Sequence, residues 1–157
     1  MTNDLQKRVI FGAIALAIFT PFLLAGGMAF QFFVGLLAMI ATAELIKMRR
    51  LAPNSIEGVL AMLASLVLTL PLQNYLTFLP TDGNYTAYAI VVFLLLGATV
   101  FNIGRYNYSD VVFPIASSFY VGIGFHSLVL ARMDGLNKVF FALCLVWATD
   151  IGAYMIG

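Results

Sequence analysis

Apolar residues run along this chain in long blocks broken by short polar interruptions, without the strict alternation of a half-buried strand. A membrane span needs about 20 consecutive apolar residues, with roughly 17–25 tolerated. Six blocks approach that length and predict helices over 9–25, 28–46, 58–78, 86–102, 111–131 and 139–157. The expected fold class is all-α: a polytopic integral membrane protein of about six transmembrane helices, forming one helical domain over residues 1–157.

The interruptions carry turn and topology signals. The first is only Ala25, Gly26 and Gly27, where glycine permits a tight reversal. Pro21, inside the first block, removes one backbone donor and predicts a kink. Residues 47–57, KMRRLAPNSIE, read as a polar loop with helix-start chemistry. Asn54 with Glu57 fits the spacing of a capping box, whereas Ser55 has no acid three residues on. Asp82-Gly83 and Pro80 mark the next turn, and Arg105 lies among Tyr106 and Tyr108 in the one after.

Basic residues then orient the chain. With a cytoplasmic amino terminus, one side collects Lys7, Arg8, Lys47, Arg49, Arg50 and Arg105, and the other only Arg132 and Lys138. That asymmetry favours the amino terminus inside. Six crossings return the chain end to the same side and place Asp150 roughly 10 Å from it, in the inner part of its helix.

Composition sharpens the class. Apolar residues make up 62% of the chain and charged ones 10%, against roughly 45–50% and 25% in soluble domains. The net charge of +1 gives no field for nucleic acid. A single cysteine, Cys144, excludes an intramolecular disulfide and a cysteine-based metal site. The first block is read as a retained helix and not a signal peptide, because Pro21, Ala25, Gly26 and Gly27 make a poor cleavage site.

Asp150 is the main chemical candidate, since an acid at mid-depth costs about 2.5–3.5 kcal/mol. Trp147, Ile151 and Tyr154 share its helix face, with Thr149 and Gly152 beside it. Such a carboxylate can coordinate a hard divalent cation, exchange a proton or form a helix-to-helix hydrogen bond. Alone it cannot hold Mg²⁺ with phosphates. Glu44 stands three residues before Lys47 and reads either as an interfacial ion pair or as a second helix's contribution to a polar pocket. Ser118, Gly122 and His126 repeat every four residues and read as close packing. Ser117 and His126 lie roughly 13 Å apart along one helix and make no hydrolase dyad. Arg105, Lys47, Arg49 and Arg50 can serve an anionic headgroup or only fix topology. No glycine-rich phosphate loop, zinc-protease pair or dinucleotide fingerprint occurs.

The segment Trp147 to Tyr154, WATDIGAY, followed by Met155, Ile156 and Gly157, resembles the membrane-embedded segment of bacterial phosphatidate cytidylyltransferases, also called CDP-diglyceride synthases. The opening LQKRVI of residues 5–10, the late Glu44 and the helix spacing are similar to the same family. The resemblance implies a nucleotidyltransferase of phospholipid biosynthesis in the bacterial plasma membrane, joining CTP to phosphatidate with release of pyrophosphate and use of Mg²⁺. It implies Asp150 as catalytic and metal-binding residue, Thr149, Tyr154 and Arg105 at the substrates, and Glu44 and Gly152 lining the site. Implied partners are CTP, phosphatidate, the lipid bilayer, a second copy of the chain in a homodimer, and a separate carboxy-terminal half. Family members continue past the position of Gly157 into a Ser-Pro-x-Lys-Thr segment and a late signature rich in Lys, Asp and Arg. The expectation is therefore an amino-terminal fragment, inactive alone. Rival readings are a related membrane lipid kinase and a small transporter or helix-packing protein with Asp150 as a cation or proton relay.

Overall fold

The computed structural model describes residues 2–75, 83–100 and 108–156. Its helices are α1 (Thr2–Ala25), α2 (Gly27–Met48), α3 (Ile56–Thr69), α4 (Gly83–Val100), α5 (Tyr108–Asp134) and α6 (Leu136–Ile156), with one 3₁₀ turn at Leu72–Asn74. The described residues contain no strand. The chain divides into two compact units, residues 1–30 with 130–157, and residues 31–129.

All six apolar blocks form helices, but the expected six transmembrane helices are corrected to three of spanning length. Among the described residues only α2, Asp110–Asp134 within α5, and α6 are long and apolar enough to cross a membrane. The apolar parts of α1, α3 and α4 are Ile10–Ala25, Ile56–Thr69 and Gly83–Ala98, all shorter. With 14 residues, α3 rises about 21 Å against a hydrocarbon core of about 30 Å. The count of crossings that placed Asp150 on the cytoplasmic side therefore no longer follows. The block predicted over 58–78 stops at Thr69, because Leu70 is extended and Pro71 cannot continue the ladder. Residues 76–78, 101–102 and 157 of three predicted blocks lie outside the described residues.

In the first unit, α1 runs straight into α2 through Gly26 and Gly27, whose φ angles of +63° and +55° lie in the left-handed region. Pro21 is accommodated inside α1, and the Thr20 hydroxyl next to it donates to Leu16 O at 2.7 Å. Arg132 closes the α1 end: Nε donates to Leu23 O at 2.7 Å and Nη2 to Leu24 O at 3.1 Å. A Cβ on Gly26 would stand 2.5 Å from Nη2, so a side chain there would strain the left-handed backbone and push the guanidinium off its carbonyls. Gly135 alone separates α5 from α6, and Lys138 Nζ pairs with Asp134 Oδ2 at 2.9 Å across that break.

In the second unit, α3 presents a stripe of small residues. Gly58, Ala61, Ala64 and Ser65 are buried at helical spacing together with Leu68 and Thr69. Small side chains let membrane helices approach closely, where packing and not water exclusion holds them. Ile46, Ala61 and Leu95 form one core cluster, and Ala64, Leu68 and Tyr88 form another. Gly122 of α5 lies against Leu68, where a Cβ would come within 2.9 Å of the leucine side chain.

Polar groups inside this unit find partners close by. Thr42, Ser65 and Thr69 return their hydroxyls to the backbone of their own helices at 2.7–2.9 Å. The early end of α3 is met by side chains from other elements. Asn84 donates to Leu70 O and accepts from Leu72 N at 2.9 Å, while His126 Nδ1 lies 3.1 Å from Thr69 O. Tyr75 donates its hydroxyl to Gln31 Oε1. Non-helical backbone at membrane depth persists only where such groups satisfy it.

Helix α3 starts one residue later than the capping-box spacing predicts. Ser55 is the N-cap and its hydroxyl oxygen accepts from Gly58 N at 3.2 Å. Glu57 is then not the reciprocal acid of a box. Its side chain is 4% exposed, and Oε2 has no hydrogen-bond partner among the described residues.

Candidate functional site

Helix α6 carries four of the six predicted site residues. Its body is a regular helix of 21 residues without proline, and few of its positions are covered by the rest of the chain. Asp150 is exposed, and the described residues offer it no ion pair or hydrogen bond. Trp147, Ile151 and Tyr154, expected on its face, are also exposed, Tyr154 at 90%. Thr149 donates its hydroxyl to Leu145 O at 2.7 Å, which ties the hydroxyl hydrogen to the helix and leaves the oxygen's lone pairs outward. Gly152 has open space where a side chain would stand. The helix thus brings Thr149, Asp150, Gly152 and Tyr154 together by sequence, and nothing else described in the chain closes over them.

Glu44 lies near the end of α2, in the other unit. Its Oε1 is 2.7 Å from Lys47 Nζ, the i,i+3 pair read from the sequence, and both side chains are more than half exposed. An exposed pair of this kind contributes about 0–1 kcal/mol. Arg105 lies outside the described residues. His126 serves the end of α3 through Nδ1, and Ser117 and Ser118 are buried in packing contacts.

No group of three or more potential metal ligands occurs among the described residues. One carboxylate on α6 does not make up a Mg²⁺ site, which takes one or two carboxylates together with waters or substrate phosphates. A cavity of about 370 Å³ opens between α4 and α5, lined by Tyr88, Val92, Phe93, Val112, Ile115 and Phe119 among others. Its lining is wholly apolar at the surface it presents, so it has no group to polarise or bind a phosphate.

Sequence reading missed three residues that the structure makes prominent: Arg132, Asn84 and Glu57. Arg132 had a signal, since it was one of only two bases on the side that should be poor in them. Asn84 had none, and Glu57 read only as a cap acid, because what surrounds both side chains depends on tertiary packing.

A helical membrane chain with an isolated acid on an apolar helix defines a class, and comparison with known proteins defines the family. The chain matches the Cytidylyltransferase family over residues 6–157 and belongs to it. It is 37% identical over 153 residues to a phosphatidate cytidylyltransferase of Staphylococcus saprophyticus. Identity to proteins of the same description is 36% over 153 residues in Staphylococcus haemolyticus and 33% over 153 residues in Staphylococcus aureus strain COL. In each case the match takes in 98% of this chain and 58% of the relative, so the chain spans somewhat more than half the length of these proteins. No solved structure matches. The family resemblance read from WATDIGAY and Glu44 is thus borne out, and the long apolar helices agree with a membrane-embedded chain.

Proposed function

We propose that this chain forms the amino-terminal part of a phosphatidate cytidylyltransferase and is inactive by itself. The observation that carries the reading is the position of Asp150: a lone acid on the outward face of α6, within the segment that resembles the family, with no partner among the described residues. A carboxylate left facing lipid is costly, so this face is suited to a polar surface brought from elsewhere.

In the proposed reaction an oxygen of the phosphatidate phosphate attacks the α-phosphorus of CTP. The bond between the α- and β-phosphates breaks, and pyrophosphate leaves with the electron pair. Catalysis of such a transfer is chiefly positioning and charge stabilisation. Asp150 supplies one anionic oxygen at the site, and the lone pairs of Thr149 and the ring of Tyr154 flank it along the helix. Gly152 leaves room for a bulky phosphate to approach the helix backbone. Mg²⁺ would offset charge on the phosphates when bound, but the described residues do not complete its ligand set. Arg105 and Glu44 belong to the same proposal on resemblance alone, as does a homodimer.

A cytoplasmic amino terminus belongs to the same proposal, on the basic pair Lys7 and Arg8 that opens the chain. Arg132 and Lys138 are matched internally by the α1 carbonyls and by Asp134.

The test is CDP-diacylglycerol synthesis from CTP and phosphatidate in nanodiscs. The chain alone should give none, and co-expression with the unmatched remainder of the Staphylococcus saprophyticus relative should restore it. Asp150→Asn should abolish the restored activity. Turnover by the chain alone, or full activity of Asp150→Asn in the complemented protein, would reject the proposal.

A further inference from the structure

The three bases at the end of α2 differ in what already engages them. Lys47 is matched by Glu44 at 2.7 Å. Arg49 and Arg50 are exposed and have no acidic partner among the described residues. The Arg49 guanidinium carbon stands over the Phe113 ring of α5, 5.9 Å from its centroid. Stacking on an aromatic ring engages the flat face of a guanidinium and leaves its N–H edge open, and that edge matches two phosphate oxygens at once.

Arg50 is unusual for its backbone. Its φ is 62°, in the left-handed region that favours glycine. Arg50 N donates to Lys47 O at 2.8 Å and Leu51 N to Ile46 O at 3.2 Å. These two bonds are the Schellman turn, with Arg50 at the position that glycine usually fills. Leu51 packs on Ile46, supplying the apolar contact that accompanies such a turn. The turn would form more easily with glycine, so what arginine adds is its side chain. A strained residue of this kind is an observation from which function is inferred.

Location and local charge agree with that. Helix α2 is long and apolar enough to cross a membrane, which brings its last turn to the level where phosphates meet water. The turn's own hydrogen bonds engage the carbonyls of Ile46 and Lys47, which reduces the negative potential of the helix end. We propose that Arg49 and Arg50 form a phosphate-binding corner at the end of α2, taking a phosphate carried by a lipid headgroup or by a free nucleotide. The corner deepens the transferase reading and rests on it for its two probes, while binding measured without turnover keeps its failure apart from a failure of catalysis.

The experiment uses the 157-residue chain in phosphatidylcholine nanodiscs and reads binding by ³¹P NMR. In one arm phosphatidic acid is titrated into the discs; in the other CTP is added to the solution. Wild type should bind at least one probe, and Arg49→Lys and Arg50→Gly should each weaken that binding about tenfold, the effect of one charge-assisted contact. Arg49→Lys keeps the charge but loses the fork. Arg50→Gly relieves the turn, so its thermal midpoint should hold or rise while phosphate binding falls. A purely structural role gives the opposite pattern, with binding unchanged. Weakening confined to phosphatidic acid assigns the corner to a headgroup, and weakening confined to CTP assigns it to a nucleotide. If wild type binds neither probe, or both variants bind as wild type does, the corner is not a phosphate site.

Discussion

Arg132 Nε donates to Leu23 O across 2.7 Å, joining residues 109 positions apart in sequence. The last carbonyls of a helix lack partners and carry the negative end of its dipole. A guanidinium is the side chain best shaped to meet two of them at once. Removing it by Arg132→Ala should lower stability in detergent by about 1.5–3 kcal/mol, the range for hydrogen bonds to a charged group. Arg132→Lys should recover part of the loss, and Gly26→Ala should reproduce it by steric conflict. An unchanged denaturation midpoint for Arg132→Ala would mean that solvent caps α1 equally well.

Asn84 meets two backbone groups with one side chain, Leu70 O and Leu72 N. Asn84→Leu is close in size but leaves both groups unmet in a buried setting. Each costs about 1–3 kcal/mol when left unsatisfied. Chymotryptic cleavage near Tyr75 should therefore rise together with a fall in midpoint. Equal protection of the variant and the wild type would show that the end of α3 does not depend on this amide.

Asp150 makes no hydrogen bond or ion pair with the described residues. Asp150→Leu should leave the folding of the chain intact and favour membrane insertion of α6 by about 2.5–3.5 kcal/mol or more on a translocon assay, the cost ascribed to an acid at the helix centre. A destabilised or misfolded Asp150→Leu chain would point to a structural partner within it.

Glu57 holds a buried carboxylate oxygen without a partner among the described residues. Glu57→Met keeps the volume and removes that oxygen. The gain of about 1–3 kcal/mol from the lost desolvation should exceed the loss of about 0.3–1 kcal/mol from removing an acid in the first turn of α3. The midpoint should rise. A marked fall would show that the carboxylate holds a cation or another group in solution.

Helix positions in this chain are legible because apolar length and spacing are local properties. WATDIGAY was legible as well, because its acid stands out against residues such as Leu145, Val146 and Ile151. Spanning length was overread at α3. Leu70, Pro71 and Leu72 continue the apolar run, so hydropathy sees no boundary where the backbone has one. Of the two helix starts the sequence offers, Asn54 and Ser55, the structure uses Ser55, which caps with its own hydroxyl and needs no returning acid. Arg50 was invisible for a related reason: the left-handed turn is normally announced by glycine, and here it is not. The surroundings of Asp150 are not legible in the sequence, because none of the described residues covers that face.

Asn84 also bears on the order in which the protein is made. Pro71 ends α3 locally, but the amide that holds the carbonyl just beyond that end lies fourteen positions past Leu70. While the ribosome has delivered only α3, Leu70 O and Leu72 N have no amide to meet them. The turn after α3 is therefore completed only when α4 arrives, and a nascent chain arrested before Asn84 should show residues 70–75 more open in cysteine-accessibility mapping than one arrested after α4. In this region of the chain, the turn that follows one helix is written in the beginning of the next.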